Sequence, residues 1–201
     1  MRSKAPAVLP ILRSRLQGEI LARLFADPSR EWTVSELAES SRAPLTSVQS
    51  EVTRLLDGDL VTSRKVGRSR LVRVNELNPV SEPLGRIVAL TFGPAVAVAE
   101  CFGDLGADRV WIFGSWAARM SGEVGSAPGD VDVLVVGDDV TRLDAYRAAE
   151  CAESRLAIPV NPVIRSSRAW ADSDKDPLLS EILSRPYIVV TESEGAHEVP
   201  R

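Results

Sequence analysis

The sequence predicts an α+β fold in two parts, and three observations carry that reading. Residues 1–75 hold helical periodicities followed by two alternating runs around a glycine turn. Residues 107–201 alternate short apolar runs with helix-like segments, the pattern of a sheet with flanking helices. The charge also divides. Residues 1–80 carry 13 Lys+Arg against 9 Asp+Glu, and the remainder 11 against 19. Such asymmetry between halves points to two parts with different partners.

Composition narrows the classes. The chain has 201 residues, 44% hydrophobic and 26% charged, which is ordinary for a globular chain of two small domains. Met1 to Lys4 is basic, but the apolar segment after it is broken by Pro10 and Arg13, so no leader peptide is expected. The most apolar stretch, Ile87 to Phe102, is interrupted by Gly93-Pro94, so no membrane partner is expected. Two cysteines, Cys101 and Cys151, and one histidine, His197, exclude a Cys/His zinc cluster. Both cysteines read as small buried apolar residues of a chain in a reducing cytoplasm.

The first part takes shape from its periodicities. Leu9, Leu12, Leu16, Ile20 and Leu24 predict a helix from Leu9 to Phe25, stopped by Asp27-Pro28. Thr33 and Glu36 form a capping box that opens a short helix with Val34, Leu37 and Ala38 inward. Thr46 and Gln49 form a second capping box. The helix it opens buries Val48, Val52, Leu55 and Leu56; its other face carries Ser47, Gln49, Ser50, Thr53 and Arg54. Gly58 is placed to cap its end. Leu60–Lys65 and Arg70–Asn75 then alternate about Val66-Gly67-Arg68-Ser69, predicting a β-hairpin. The hairpin carries Arg64, Lys65, Arg68, Arg70 and Arg73.

Leu9 to Asn75 resembles a winged helix-turn-helix of the kind found in ArsR-type bacterial repressors. The resemblance implies that the second helix of the pair enters the major groove of double-stranded DNA, with Thr46, Ser47, Gln49, Ser50 and Arg54 facing the bases. It implies that Arg64, Lys65, Arg68 and Arg70 meet phosphates or the minor groove. It also implies a homodimer. A positive edge that resists aggregation would explain the hairpin alone; beside the helix pattern, DNA binding is the better reading.

Asn78-Pro79 to Glu82-Pro83 reads as a linker. Leu84 to Leu105 reads as one long apolar helix, or two broken at Gly93-Pro94. With hardly any charge between Arg86 and Glu100, it must be buried against the sheet or in a dimer.

The second part centres on Arg109 to Gly137. A strand-like run, Val110 to Phe113, leads to Gly114-Ser115 and a helix-like segment, Trp116 to Met120. A Gly/Pro/Ser loop follows, then Asp130 and the apolar run Val131 to Val136. Side chains alternate along a strand, so Asp130 and Asp132 share a face. A cation between them offsets their repulsion, and oxygen ligands of this kind suit Mg²⁺ shared with phosphates. Free backbone N–H groups at Gly114-Ser115 favour an anion. Beyond lie a helix (Val140 to Leu156, with Leu143, Tyr146, Ala149 and Ala152 inward) and a strand (Pro159 to Arg165). A polar then helical segment follows (Ser166 to Leu183, with Leu178, Leu179, Ile182 and Leu183), then a last strand (Pro186 to Thr191) and a loose polar tail.

Gly114, Ser115, Asp130 and Asp132 resemble the mark of the minimal nucleotidyltransferases of the DNA polymerase beta superfamily. One departure is the spacer, 14 positions from 116 to 129, whose excess lies in a loop that tolerates insertion. The resemblance implies a mixed sheet, Mg²⁺, a nucleoside triphosphate and a protein or RNA acceptor. It implies catalytic, metal-holding roles for Asp130 and Asp132, and phosphate contacts for Gly114, Ser115 and Arg119. The family's third carboxylate lies on a later strand. The matching strand here offers Asn161, whose amide oxygen can ligate a metal weakly but cannot act as a base. Trp111 and Trp116 read as core or pocket wall.

The expected organisation is a winged helix-turn-helix at 1–78, a linker and apolar helix at 79–106, and a nucleotidyltransferase-like domain at 107–201. The expected function is a cytoplasmic DNA-binding transcriptional regulator with a Mg-nucleotide site that turns over slowly at best. The alternatives are an antitoxin-type protein that binds or modifies a partner toxin, and a degenerate nucleotide-sensing scaffold.

Overall fold

A computed structural model describes residues 12–123 and 128–193. The chain divides into two compact units between Gly93 and Pro94. Among the described residues, the first unit opens with α1 (Arg15–Ala26), whose cap is the Ser14 hydroxyl accepting from the Gln17 amide at 3.1 Å. The helix expected from Leu9 therefore begins at Arg15; residues 9–11, like His197 and the polar tail beyond Ser193, lie outside the described residues. Strand β1 (Trp32–Thr33) leads into α2 (Val34–Ser40) through the expected capping box. Glu36 N donates to Thr33 Oγ1 at 3.1 Å, and Thr33 N donates to Glu36 Oε2 at 2.6 Å.

Helix α3 (Leu45–Asp57) corrects the second capping box. Its cap is Pro44, so Thr46 and Gln49 already lie inside the helix. Pro44 has no N–H to satisfy, and its carbonyl accepts from Ser47 N at 3.0 Å and Val48 N at 3.2 Å, starting the helix early. The far end needs a second correction. Gly58 ends the helix at φ −85°, and the left-handed residue is Asp59 at φ 55°. Asp59's carbonyl then accepts from Asn75 Nδ2 at 3.0 Å and Asn78 Nδ2 at 2.9 Å, which fastens the turn.

Strands β2 (Val61–Val66) and β3 (Ser69–Val74) form the expected hairpin, and the sheet order is β1-β3-β2. Helices α1 to α3 with this wing are a winged-helix architecture. Its core joins Ile20, Leu21 and Leu24 to Leu37, Val48, Val52, Leu55, Val61, Val72 and Val74.

Helix α4 (Ser81–Phe92) begins inside the stretch read as linker, because Ser81 Oγ donates to the Asn75 carbonyl at 2.7 Å. It packs on α1. Gly18 makes this possible: a Cβ there would lie 2.2 Å from the Phe92 ring. By length and composition Ser81–Phe102 could cross a membrane. Gly93 divides it into helices of 12 and 9 residues, each shorter than the ~17–25 residues of a span.

The second unit runs α5 (Pro94–Phe102), β4 (Arg109–Phe113), α6 (Gly114–Met120), β5 (Val131–Val136), α7 (Arg142–Leu156), β6 (Val160–Arg165), α8 (Ser167–Ala171), α9 (Pro177–Leu183) and β7 (Ile188–Glu192). The sheet order is β6-β5-β4-β7. Among the described residues, only β5 and β6 pair in parallel, so the sheet is mixed. One face carries Trp111, Leu134 and Val136 beneath Trp170, Leu179 and Ile182 of α8 and α9. Trp111 stacks on Tyr187 at 4.3 Å and meets Trp170 edge-on at 4.9 Å; with Trp116 also buried, both tryptophans are core. The other face carries buried Val110, Ile112, Val131, Val133 and Val135.

Two expectations fail here. In α7, Leu143 and Tyr146 are exposed, and the buried stripe is Ala145, Ala148, Ala149 and Ala152. Small residues let α7 approach α5 and the sheet closely, and the bulky pair falls on the far side. The cysteines are not separate apolar fillers. Cys101 on α5 and Cys151 on α7 form a disulfide with Cα atoms 5.9 Å apart. Packing of the two helices brings together positions 50 residues apart in sequence. The cysteine argument for a reducing compartment falls with it.

Asp176 ties β6 to α9. It accepts from Leu178 N at 2.9 Å and Leu179 N at 3.2 Å as the cap of α9, and from Arg165 Nε at 2.6 Å. The Arg165 guanidinium is the first cause holding its carboxyl below the ordinary value. The native state therefore favours the ionised form, and this stability is lost as pH falls through the lowered pKa. Asp176→Ala removes cap and ion pair and should cost about 1 kcal/mol or more. Asp176→Asn keeps a capping oxygen, so it should cost less and flatten the acid limb of melting temperature against pH. Thermal melts from acid to neutral pH check both; an unchanged acid limb in Asp176→Asn counts against this linkage.

Candidate functional site

The carboxylate pair sits where three strands meet. Phe113 is opposite Asp132 in the antiparallel β4–β5 ladder, and Asp132 is opposite Asn161 in the parallel β5–β6 ladder. All three residues therefore share one face. The structure brings Asp130, Asp132 and Asn161 together. Asn161 Nδ2 donates to Asp130 Oδ2 at 2.9 Å and to Asp132 Oδ1 at a longer 3.4 Å. Both aspartates are half-buried and Asn161 is exposed. Burial is the first influence on the Asp132 carboxyl and pushes it up; the Asn161 N–H opposes this, and the charge of Asp130 adds to it.

Gly114 closes the other side. It takes φ +74°, and a Cβ there would lie 2.6 Å from Asp132 Oδ2. Only glycine fits both the left-handed turn and the close approach. Ser115 follows in the exposed first turn of α6, and Arg119 is exposed in its last turn. No side chain caps α6.

These residues fit a divalent cation shared with a ligand, on the chemistry of the donors. The carboxylate oxygens are hard donors, and Asp132 Oδ2 lies close against the bare backbone of Gly114. No group of three or more His, Cys, Asp or Glu among the described residues could hold a metal alone. Two carboxylates and phosphate oxygens are a common Mg²⁺ set.

The first unit carries a separate candidate surface. On α3, Thr46, Gln49, Ser50, Thr53 and Arg54 are exposed, and Ser47 is half-buried. Arg54 turns back to its own helix and pairs with the buried Glu51 at 2.8 Å. Arg64 is engaged as well. Its Nε donates to Glu31 Oε1 at 2.6 Å, and its Nη2 meets the second oxygen of the same carboxylate. Nothing local in the sequence signals this pair, which spans 33 residues.

Lys65, Arg68 and Arg70 are exposed, and Lys65 lies directly opposite Arg70 in the ladder. Arg68 is in the turn between their strands. Like charges opposite each other on a hairpin are unfavourable, so the wing tip concentrates positive charge that an anion would relieve. Sequence reading missed Arg42, exposed in the α2–α3 turn at φ 48°, because a left-handed arginine has no local signal.

No family model matches this chain, and no curated protein matches it either. Several solved structures are similar to part of it. A transcriptional regulator of Sulfolobus solfataricus, BldR, is 16% identical, covers 49% of this chain and 68% of its own, and has a TM-score of 0.37. A zinc-responsive MarR family member of Lactococcus lactis is 21% identical, covers 45% and 61%, and has a TM-score of 0.36. An Archaeoglobus fulgidus protein is 14% identical, covers 41% and 93%, and has a TM-score of 0.35.

Asn161→Asp tests the electrostatics of the pair. A third carboxylate at this place would lose the N–H donor and add repulsion, so the variant should melt lower than wild type without Mg²⁺. Added Mg²⁺ should recover more in the variant than in wild type. A loss of stability that Mg²⁺ leaves unchanged would mean that this carboxylate does not share a cation with its neighbours.

Proposed function

We propose that this chain is a DNA-binding regulator whose second unit binds a nucleoside triphosphate with Mg²⁺. The observation that carries the first half is the wing tip. Lys65 and Arg70 face each other across the ladder with Arg68 between them, an arrangement that gains when phosphates approach. The exposed polar row of α3 on the same winged-helix scaffold would lie in the major groove, with Thr46, Gln49 and Ser50 at base edges. Arg54 and Arg64 have smaller roles in this reading than the sequence alone implies, because Glu51 and Glu31 already hold them. A cytoplasmic homodimer on paired half-sites belongs to the same proposal.

The second half rests on Asp130, Asp132 and Asn161 meeting beside Gly114. Asp130 and Asp132 would hold Mg²⁺, and the Gly114-Ser115 turn would hold phosphate. The metal would supply charge neutralisation at the phosphates. Asn161 favours binding over turnover. It cannot take a proton, and a positioned general base contributes typically about 10² to 10⁴ in rate. The nucleotide would thus act chiefly as a signal, and transfer to a protein or RNA acceptor would be slow.

Mobility-shift titrations across salt test the DNA reading. Each phosphate neutralised adds about 0.9 to the slope of log K against log salt. Arg68→Ala should lower the slope by about that amount and weaken binding to all sequences alike. Arg64→Ala should change the slope less and lower the melting temperature. Gln49→Ala should narrow the difference between sites while leaving the slope in place. Absence of binding to any genomic fragment at low salt would end this reading.

The nucleotide reading has its own measurement. Mg²⁺ and nucleoside triphosphate together, at about a hundred times the dissociation constant, should stabilise the chain by roughly 2.7 kcal/mol. Either alone should do little, because the ligand set is incomplete without the other. Equal stabilisation of wild type and the Asp130→Asn/Asp132→Asn double variant would show that the pair is not the site.

A further inference from the structure

The Cys101–Cys151 disulfide lines an open cavity of about 380 Å³ on the second unit. Asp104, Leu105, Asp144, Arg147 and Ala148 line it with the two cysteines. Both cysteines are half-buried and face the cavity lining. The volume is at the low end for small-molecule pockets. The charged lining is mixed: Asp104 and Arg147 are exposed, and half-buried Asp144 accepts from Thr141 Oγ1 at 2.6 Å. A ligand complementary to this lining carries a carboxylate for Arg147 and an ammonium for the aspartates.

The disulfide is not the sole link between its helices. Glu100 and Arg155 also pair across α5 and α7, and Ala97 and Val98 are buried on α5 as the alanine stripe is on α7. Opening the S–S bond would therefore leave the helices packed.

We propose that this pocket is a thiol-exchange site, in which a small zwitterionic thiol of the amino-acid class opens the Cys101–Cys151 disulfide. The thiolate attacks one cysteine sulfur. The protein S–S bond breaks, a mixed disulfide forms, and the other cysteine leaves as a thiolate that takes a proton. A second molecule of the same thiol attacks the mixed disulfide. It returns both cysteines to thiols and departs joined to the first. The proposal stands independently of DNA or nucleotide binding.

The test uses the oxidised full chain with three thiols at matched thiolate concentration: cysteine, 2-mercaptoethanol and 3-mercaptopropionate. Acid-quenched intact mass follows the mixed disulfide. An exposed ion pair changes a rate by about 1.5- to 5-fold, so cysteine, which makes two, should exceed 2-mercaptoethanol by about 2- to 25-fold. 3-Mercaptopropionate should fall below cysteine, because Asp104 and Asp144 oppose its unbalanced charge. Arg147→Gln, at an exposed position, should fold normally by its melt and lose about 1.5- to 5-fold of the preference for cysteine. Equal rates for all three thiols would overturn the proposal, as would a preference unchanged in Arg147→Gln. So would a purified chain whose cysteines stay as free thiols under air.

Discussion

Strand β5 is hydrogen-bonded on both sides, antiparallel to β4 and parallel to β6, and this double register decides what the carboxylate site contains. Val131, Val133 and Val135 are fully buried on one face, so the strand cannot slip by one residue without exposing all three. With the valines fixed, Asp132 must fall on the opposite face, between Phe113 and Asn161. Asp130, just before the strand, meets the same amide. The polar cluster is thus a consequence of apolar burial on the reverse side. At the other end of that face the same registers place Arg109 and Arg165, whose charges are absorbed by Glu192 and Asp176.

The first unit is organised by contacts that remove cations from service as much as by its core. Arg23 is buried, donating to the carbonyls of Glu19 and Ser40 and so tying α1 to the end of α2. Burial lowers its pKa first and Glu19 opposes that shift. Arg30 lies 3.6 Å over the Trp32 ring. Arg54 and Arg64 are held by Glu51 and Glu31. The 13 Lys and Arg counted along residues 1–80 therefore overstate the cations available to a partner. On the wing, Lys65, Arg68 and Arg70 lie at the tip and the exposed Arg73 lies toward the base.

Much of this was legible in the sequence. Thr33 to Glu36 announced α2 because a capping box acts within one turn, and the Gly67 turn announced the hairpin for the same local reason. The shared face of Asp130, Asp132 and Asn161 followed from strand period and motif order. What was not legible depends on distant partners. The Glu31–Arg64 pair spans 33 residues and the disulfide 50. In α7 the apolar pattern misled, because alanine is the residue that close helix packing selects, while Leu143 and Tyr146 are merely apolar. Pro44 overrode the capping signal at Thr46 by supplying a helix start that needs no side chain.

Asn161 alters the logic of the carboxylate pair. Two aspartates with a third carboxylate would repel one another, and a bound cation would then add directly to the stability of the fold. A neutral amide that donates to both aspartates lessens that dependence. The folded unit can hold the pair with N–H donors alone, at the cost of leaving Asp132 partly desolvated beside Asp130. A cation held by Asp130 and Asp132 would compete with those hydrogen bonds. It would gain less than at a three-carboxylate site, and oxygens from a ligand would be needed to complete its hold. A phosphate-bearing ligand can supply them. In the proposed reading, an amide at position 161 would therefore make occupancy by a metal depend on a phosphate-bearing ligand.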